Sequence, residues 1–332
     1  MKIDCFTHIM PQRYYQALKA RMTGPDYLSG LIEQMPELVD MDARERVMDR
    51  HGIDRQVLTI SSPPIEVALD DADASAELTR IANDEIAEVC AARSRRFIPV
   101  GSVAMNHPQE MAREAERCVT ELGMKGVLVY SSGRGKPLDA PDYADFFAVM
   151  AQQDYPVWLH PARGGNQADY PGEPGSKYWI WQVFGWPYET TAAMTRLVFA
   201  GIFDRHPELK IITHHAGAMV PFFEKRIEYV YDTPGLPELR EAAERLQRKP
   251  SDYFRMFYND TALMGAVGGM AAAYSYFGAD RLLFGTDTPF DGRGGDGFTP
   301  DTVHSIEALL ASPEDKQKIF AGNALRLLRL DA

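Results

Sequence analysis

The sequence predicts an α/β fold: a (β/α)8 TIM barrel, one domain over residues 1–332, with extended βα loops. Three observations predict it. Short β-branched runs recur along the chain, stretches with apolar residues at helical spacing separate them, and histidines and an aspartate fall where several runs end. The expected strands are Lys2–Cys5, Gln56–Ser61, Phe97–Val103, Gly126–Tyr130, Val157–Leu159, Lys210–Thr213, Phe257–Asp260 and Leu282–Gly285. Eight is the number that closes such a barrel.

Between them, residues 75–95 place Leu78, Ile81, Ile86 and Val89 on or near one helical face, and 108–122, 142–152 and 218–231 read the same way. Strands alternating with helices favour a parallel sheet. An open doubly wound sheet is the rival, but its glycine fingerprint is missing. Gly133-Arg134-Gly135 follows a strand, yet Lys136-Pro137-Leu138 is a poor helix start for a phosphate loop. Residues 21–41, 163–186 and 291–298 break the rhythm. In a barrel each is a βα loop at the catalytic face, where lids and substrate walls occur. The second carries Trp179, Trp181 and Trp186. Packing against an outer helix is the ordinary fate of each tryptophan singly; a pocket wall suits the group. An amphipathic helix over 314–330 is expected to close the barrel.

Composition sets further bounds. With 332 residues and 45% hydrophobic content the chain can build a large core. Its 47 acidic and 35 basic residues give a net charge of −12, which repels a nucleic-acid backbone. No apolar run approaches the roughly 18 residues of a membrane helix, so no membrane is expected as a partner. Met1-Lys2-Ile3-Asp4 turns charged too soon for a secretory signal. Cys5, Cys90 and Cys118 are odd in number and scattered, against a disulfide framework and in favour of a reducing cytoplasm.

The chemistry-bearing residues follow the strands. His8 comes after the first, His160 after the fifth, His214 and His215 end the sixth, and Asp287 follows the eighth. Residues at the carboxyl ends of barrel strands share one mouth. Imidazole plus carboxylate there suits zinc, and also manganese or iron. Any one of these histidines alone reads as a core or surface residue; the set together does not. His51, His107, His206 and His304 lie in helices or before proline and read as structural. Glu66, Tyr130, Trp186, Glu189, Asn259 and Asp260 are candidate pocket-lining residues or, equally, structural ones.

The motifs Ile3-Asp4-x-x-x-His8-x-x-Pro11, Leu159-His160-Pro161, Thr213-His214-His215-Ala216-Gly217, Gly285-Thr286-Asp287-Thr288-Pro289-Phe290 and Gly322-Asn323-Ala324-x-Arg326-Leu327 together resemble the amidohydrolase-related (Amidohydro_2) family, nearly end to end. Its best-known members are the aminocarboxymuconate-semialdehyde, resorcylate and carboxyvanillate decarboxylases. The resemblance implies His8, His160 and Asp287 as metal ligands, Asp287 also as proton handler, and His215 as the unligated catalytic histidine. His214 falls where the family's decarboxylases often carry another residue, which ranks it behind the ligands; adjacent strand residues face opposite ways, so one of the pair is expected to point inward, and either His214 or His215 could join the ligand set. Arg226 matches a substrate-carboxylate anchor and reads equally well as a surface helix charge.

One position departs. Where the family has His or Glu, this chain has Phe6, which cannot coordinate a metal. The bridging lysine of binuclear relatives is absent too, so one divalent ion is expected, zinc first, with manganese or iron as alternatives. The activity implied is non-oxidative decarboxylation of a small carboxylated aromatic or unsaturated acid, by a cytoplasmic homodimer. Two other readings use the same residues: a metal-dependent hydrolase of a lactone, amide or cyclic ester, and a non-catalytic or partner-subunit barrel whose metal site Phe6 has weakened.

Overall fold

The wall of the molecule is a run of parallel strands joined by helices. In the computed structural model, which describes residues 1–22, 27–60 and 63–331, the strands are β1 (Ile3–Ile9), β2 (Arg55–Ile60), β3 (Phe97–Pro99), β4 (Gly101–Ser102), β5 (Val127–Tyr130), β6 (Ser132–Gly133), β7 (Lys136–Pro137), β8 (Val157–His160), β9 (Ile211–Thr213) and β10 (Tyr258–Asn259). β1, β2 and β3 pair in parallel, as do β4, β5, β8, β9 and β10. β3 and β4 are one wall interrupted at Val100, whose N–H reaches back to Leu58 while Gly101 N–H turns to Gly126.

The eighth wall is irregular. Residues 282–288 form single parallel bridges, Leu282 to Asn259 and Thr288 to Thr7. Backbone hydrogen bonds fill in between: Leu283 N–H to Asn259, Cys5 N–H to Phe284, Asp287 N–H to Phe6 and His8 N–H to Thr288. This segment therefore joins β10 to β1 and completes the ring of eight. Its irregularity has a cause at Gly285, where a Cβ would stand 2.9 Å from Asp260 Cβ and 3.2 Å from Phe6 Cβ. Neighbouring walls press too closely there for a pleated side chain.

Alternation decides what points inward. On β8, Trp158 and His160 share the interior face, with Val157 and Leu159 turned toward the helices. Trp158 is wholly buried, and its indole N–H donates to Cys5 O on the opposite side of the ring. Helices Ala72–Ala92, Pro108–Thr120 and Ala144–Gln153 cover the outside close to the expected spans, and Gly185–Phe199 adds one that was not expected. The three cysteines are free and buried.

Several expectations need correction. β1 runs to Ile9, so His8 lies within a strand and not after it. Residues 218–231 are not one helix: turns lead to a single helical turn Glu224–Ile227 and a widened π-type turn Glu228–Asp232, because His215, Ala216, Gly217 and Ala218 all adopt left-handed backbone. The 314–330 helix is likewise interrupted, by a π-type turn at Lys318–Gly322. Gly133-Arg134-Gly135 sits in the small antiparallel β6–β7 hairpin and opens no helix. Ser61 of the expected second strand, and positions 23–26 of the first loop, lie outside the described residues. Among the described residues no helix is long and apolar enough to cross a membrane.

Candidate metal and acid–base centre

Four wall segments deliver ionisable groups to one buried point. His8 (β1), His160 (end of β8), His214 and His215 (just beyond β9) and Asp287 (between the eighth wall's two bridges) are all buried. Ligand-capable atoms of His8, His160 and His214 lie within 4.8 Å of one another, and so do those of His214, His215 and Asp287. Asp287 Oδ1 stands 3.1 Å from His8 Nε2 and 3.3 Å from His214 Nε2.

The other ring nitrogen of each imidazole is already committed. His8 Nδ1 lies 3.1 Å from Ile60 O and 3.0 Å from Thr59 Oγ1, whose own hydrogen goes to Thr7 O. His160 Nδ1 is 2.7 Å from Pro161 O. His214 Nδ1 meets Asp260 Oδ2. Carbonyl and carboxylate oxygens only accept, so each Nδ1 carries the hydrogen. In the neutral ring Nε2 is then a bare lone pair. His8 Nε2 and His214 Nε2 are buried with no hydrogen-bond partner at all. Imidazoles anchored through one nitrogen and bare at the other are the arrangement of metal-ligating histidines, and the donor set fits one divalent ion.

Charge at this point is organised by the carboxylates. Burial opposes ionisation of Asp287, yet the His214 charge and the nearness of the His214 and His8 rings hold its carboxyl well below the usual range. Burial also opposes charge on His214, but Asp260 and Asp287 together push it up to about 10. For His215, burial and then the His214 charge outweigh the opposing pull of Asp287 and Asp260, and it drops to about 3. His160 falls well below its ordinary value through burial, then His214 and His8. The centre thus pairs a carboxylate anion with a neutral His215, two titratable groups driven apart by their surroundings.

Backbone strain is concentrated here. His215 (φ 59°) and Asp287 (φ 67°) are both left-handed non-glycine residues, a conformation that costs about 1–3 kcal/mol each and persists only where neighbours impose it. Asp260 is the neighbour for the first: Oδ1 accepts from Ala216 N–H and Ala262 N–H, each at 3.0 Å.

Aromatic rings enclose the cluster. Phe6 stacks on His214, centroids 4.0 Å apart and planes 19° inclined. Tyr130 and Trp186 stand against His160 at 5.3 and 5.5 Å, and Phe290 against His8 at 5.3 Å. Trp179 and Trp181 stack on one another, and Trp181 meets Trp186 edge-on, so the tryptophan group does reach the cluster, through Trp186. The loop at 291–298 is built on Asp291, whose carboxylate accepts from the N–H groups of Arg293, Gly295, Gly297 and Phe298.

His214 brings a correction. Only one of the His214–His215 pair was expected to point inward because strand neighbours face opposite ways; β9 ends at Thr213, and the left-handed turn beyond it brings both histidines in, ring centroids 3.8 Å apart. Arg226 is exposed and makes no hydrogen bond or ion pair among the described residues, so within one chain nothing ties it to the cluster. Asn259 turns to the Thr213 hydroxyl and Glu189 to Arg163. Residues that sequence reasoning missed are Thr59 and Phe290, together with the part Asp260 plays. Asp260 carried a legible signal, an acid at the end of the seventh strand. A surface cleft of about 620 Å³ lies elsewhere, at the amino end of β2, between Met1, Asp49, Arg55 and Arg96.

Glu66 is buried after β2 with neither carboxylate oxygen hydrogen-bonded, and burial pushes it up from 4.5 to about 7. The folded protein therefore holds a proton there that the unfolded chain releases, and stability falls as pH rises from about 4.5 to 7. Glu66→Gln mimics the protonated form. It is expected to leave stability at pH 5 nearly unchanged and to raise it at pH 8 by about 3 kcal/mol. Urea unfolding at the two pH values checks this; equal shifts at both would refute it.

Comparison with known proteins points the same way. The family model described as Amidohydrolase (Amidohydro_2) matches residues 3–330. A gamma-resorcylate decarboxylase of Rhizobium radiobacter is 33% identical over 311 residues, 90% of each chain. A 2,6-dihydroxybenzoate decarboxylase structure from Rhizobium superposes with a TM-score of 0.80 at 30% identity, covering 100% of this chain and 99% of that one. A dihydroxybenzoic acid decarboxylase of Polaromonas sp. JS666, solved with bound manganese and the inhibitor 2-nitroresorcinol, superposes with a TM-score of 0.78 at 30% identity, covering 100% and 97%.

Proposed function

The chain belongs to the Amidohydro_2 amidohydrolase family, and from that premise we propose that it is a metal-dependent, non-oxidative decarboxylase of a small carboxylated aromatic or unsaturated acid. The observation that carries the reading is the buried meeting of His8, His160, Asp287 and His215, with anchored imidazoles whose free nitrogens converge. His8, His160 and Asp287 would hold the ion. Zinc suits these donors, manganese occupies the Polaromonas relative, and iron is the third option.

When bound there, a divalent ion would supply Lewis acidity toward the substrate's oxygens. Asp287, anionic in the resting protein, takes a proton from a substrate hydroxyl and gives it to the carbon bearing the carboxylate. That carbon gains a C–H bond, the bond to the carboxylate breaks, its electron pair returns to the ring, and CO2 leaves. Neutral His215, 8% exposed at the rim of the cluster, orients the substrate by hydrogen bonding and carries no charge that would compete for the proton. Trp186, Tyr130 and Phe290 exclude water and offer flat apolar walls to an aromatic ring.

We also propose Arg226 as the substrate-carboxylate anchor. The support is chemical: it is a guanidinium, the side chain best matched to a carboxylate, and it has no acidic partner among the described residues of a strongly acidic protein. Arg226→Ala is expected to raise KM about tenfold with kcat within twofold. An unchanged KM would make it a surface charge. Exposed apolar side chains on residues 178–188 and 222–236, among them Tyr178, Phe184, Phe222 and Tyr229, support a homodimer. Light scattering should then give the mass of two 37.2 kDa chains.

The direct test is incubation of metal-loaded protein with a panel of hydroxybenzoates and dihydroxybenzoates while CO2 release is followed. Turnover of at least one is expected. No release from any, alongside hydrolysis of a lactone or amide, would overturn the proposal.

A further inference from the structure

We propose that His214 is itself a ligand of the metal, so that the protein donors are His8, His160, His214 and Asp287, and that Phe6 is the ring that positions it. The inference rests on the metal-dependent reading above and adds a donor to it.

The interior face of β1 presents two rings in succession. His8 offers a nitrogen; Phe6 offers none, yet its ring lies among the histidines, with centroids 5.6 Å from His8, 6.1 Å from His160 and 4.0 Å from His214. The place that a second donor on this strand would fill is therefore occupied by a hydrocarbon. His214 stands on the far side of that ring, held nearly parallel to it.

Three contacts leave His214 no freedom to turn. Its Nδ1 bonds Asp260, Phe6 lies on one face, and the His215 ring approaches at 3.8 Å. Asp260 is in turn locked by the N–H groups of Ala216 and Ala262. All this leaves Nε2 free and 3.3 Å from Asp287 Oδ1, with a ligand-capable nitrogen of His214 within 4.8 Å of those of His8 and His160.

A purely structural ion pair is the rival account, and it leaves one fact unexplained. His214 Nε2 is completely buried, and although an Asp287 oxygen lies nearby, the pair does not meet at a hydrogen-bonding angle. His8 Nε2 is in the same condition against the same oxygen. Two orphaned imidazole nitrogens flanking one carboxylate oxygen, each ring anchored from behind, are explained together by a cation between them. The carboxylate behind His214 is the outer partner that such ligands characteristically have. Three nitrogens and one oxygen make a donor set that zinc, manganese or iron accepts.

The test is metal binding, measured without substrate. Wild type and variants are stripped, and Zn²⁺ affinity is read by competition titration, with circular dichroism to confirm the fold. His214→Ala is expected to weaken Zn²⁺ binding by more than a hundredfold. Asp260→Asn, which keeps the ligand but loosens it, should weaken binding by about 10–100-fold. Phe6→Glu introduced into His214→Ala should restore at least tenfold of the loss, because a carboxylate then enters the vacated space. Co²⁺-loaded wild type and Asp260→Asn should differ in visible absorption, which reports the donors and stays readable should His214→Ala fail to fold. Native-like His214→Ala with unchanged affinity would overturn the inference, as would an unaltered Co²⁺ spectrum together with unchanged affinity in Asp260→Asn. The outcomes stay separate from the decarboxylase reading: an active decarboxylase indifferent to His214 sinks only this inference, and a His214-dependent metal protein without CO2 release sinks only that one.

Discussion

Asp287→Asn should lower kcat for decarboxylation by about 10³–10⁴-fold, near the upper end of what one positioned acid–base group contributes. The amide keeps the size of the carboxyl but cannot carry a proton from hydroxyl to carbon. It also removes the anion lying between His8 and His214, 3.1 and 3.3 Å from their Nε2 atoms. Single-turnover CO2 release at saturating metal, with metal content measured on the same samples, separates lost chemistry from lost ion. A variant with full metal and a rate within tenfold of wild type would remove Asp287 from the proton path. His215, near 3 in the folded protein, is neutral at every working pH and should contribute no acid limb of its own to the pH–rate profile.

Arg44→Met should destabilise the fold by about 3–5 kcal/mol, the cost typical of removing one member of a buried charged network. Arg44 projects from the helix Met41–His51 and is 1% exposed. Its Nε donates to Glu37 O, one terminal nitrogen to Thr7 Oγ1 and Gln56 Oε1, and the other to His8 O. Burial lowers its pKa to about 10, which leaves it charged at neutral pH. Gln56 passes the network on to Asp4, which also accepts from Thr286 and which burial raises to about 7. Methionine retains the bulk and leaves four acceptors without a donor, each costing about 1–3 kcal/mol before relaxation. Because one of them is the carbonyl of His8, metal affinity should fall along with stability. Urea unfolding checks the first effect; a loss under 1 kcal/mol would show that water replaces the guanidinium.

Most of the wall could be read from residue patterns because β-branched runs such as Val127–Tyr130 are bounded by turn residues and spaced by helices. Where reading failed, a long-range packing constraint had replaced the local one. At 282–288 the apolar run was visible, but Gly285 squeezed between Asp260 and Phe6 turns a strand into two bridges. At 218–231 the helical spacing was genuine, yet four consecutive left-handed residues ahead of it leave only one helical turn. His214 was misjudged for the same reason: period-two alternation holds for extended chain, and the chain has left that conformation by His215. That His8, His160, His215 and Asp287 meet was legible from their places at or near strand ends. The side chains that orient them, Thr59, Asp260 and Phe6, come from other walls, and no spacing in one sequence announces a partner across a barrel.

The depth of the cluster has a kinetic corollary. His8, His160 and His214 are no more than 2% exposed, beneath Trp186 and Phe290. An ion seated at that depth can leave only when those rings swing aside or the barrel breathes. Exchange with dissolved cations should be slow, and preparations from media of different mineral content should keep the element acquired during synthesis. Comparing lots by the element they carry, before comparing their rates, follows from that.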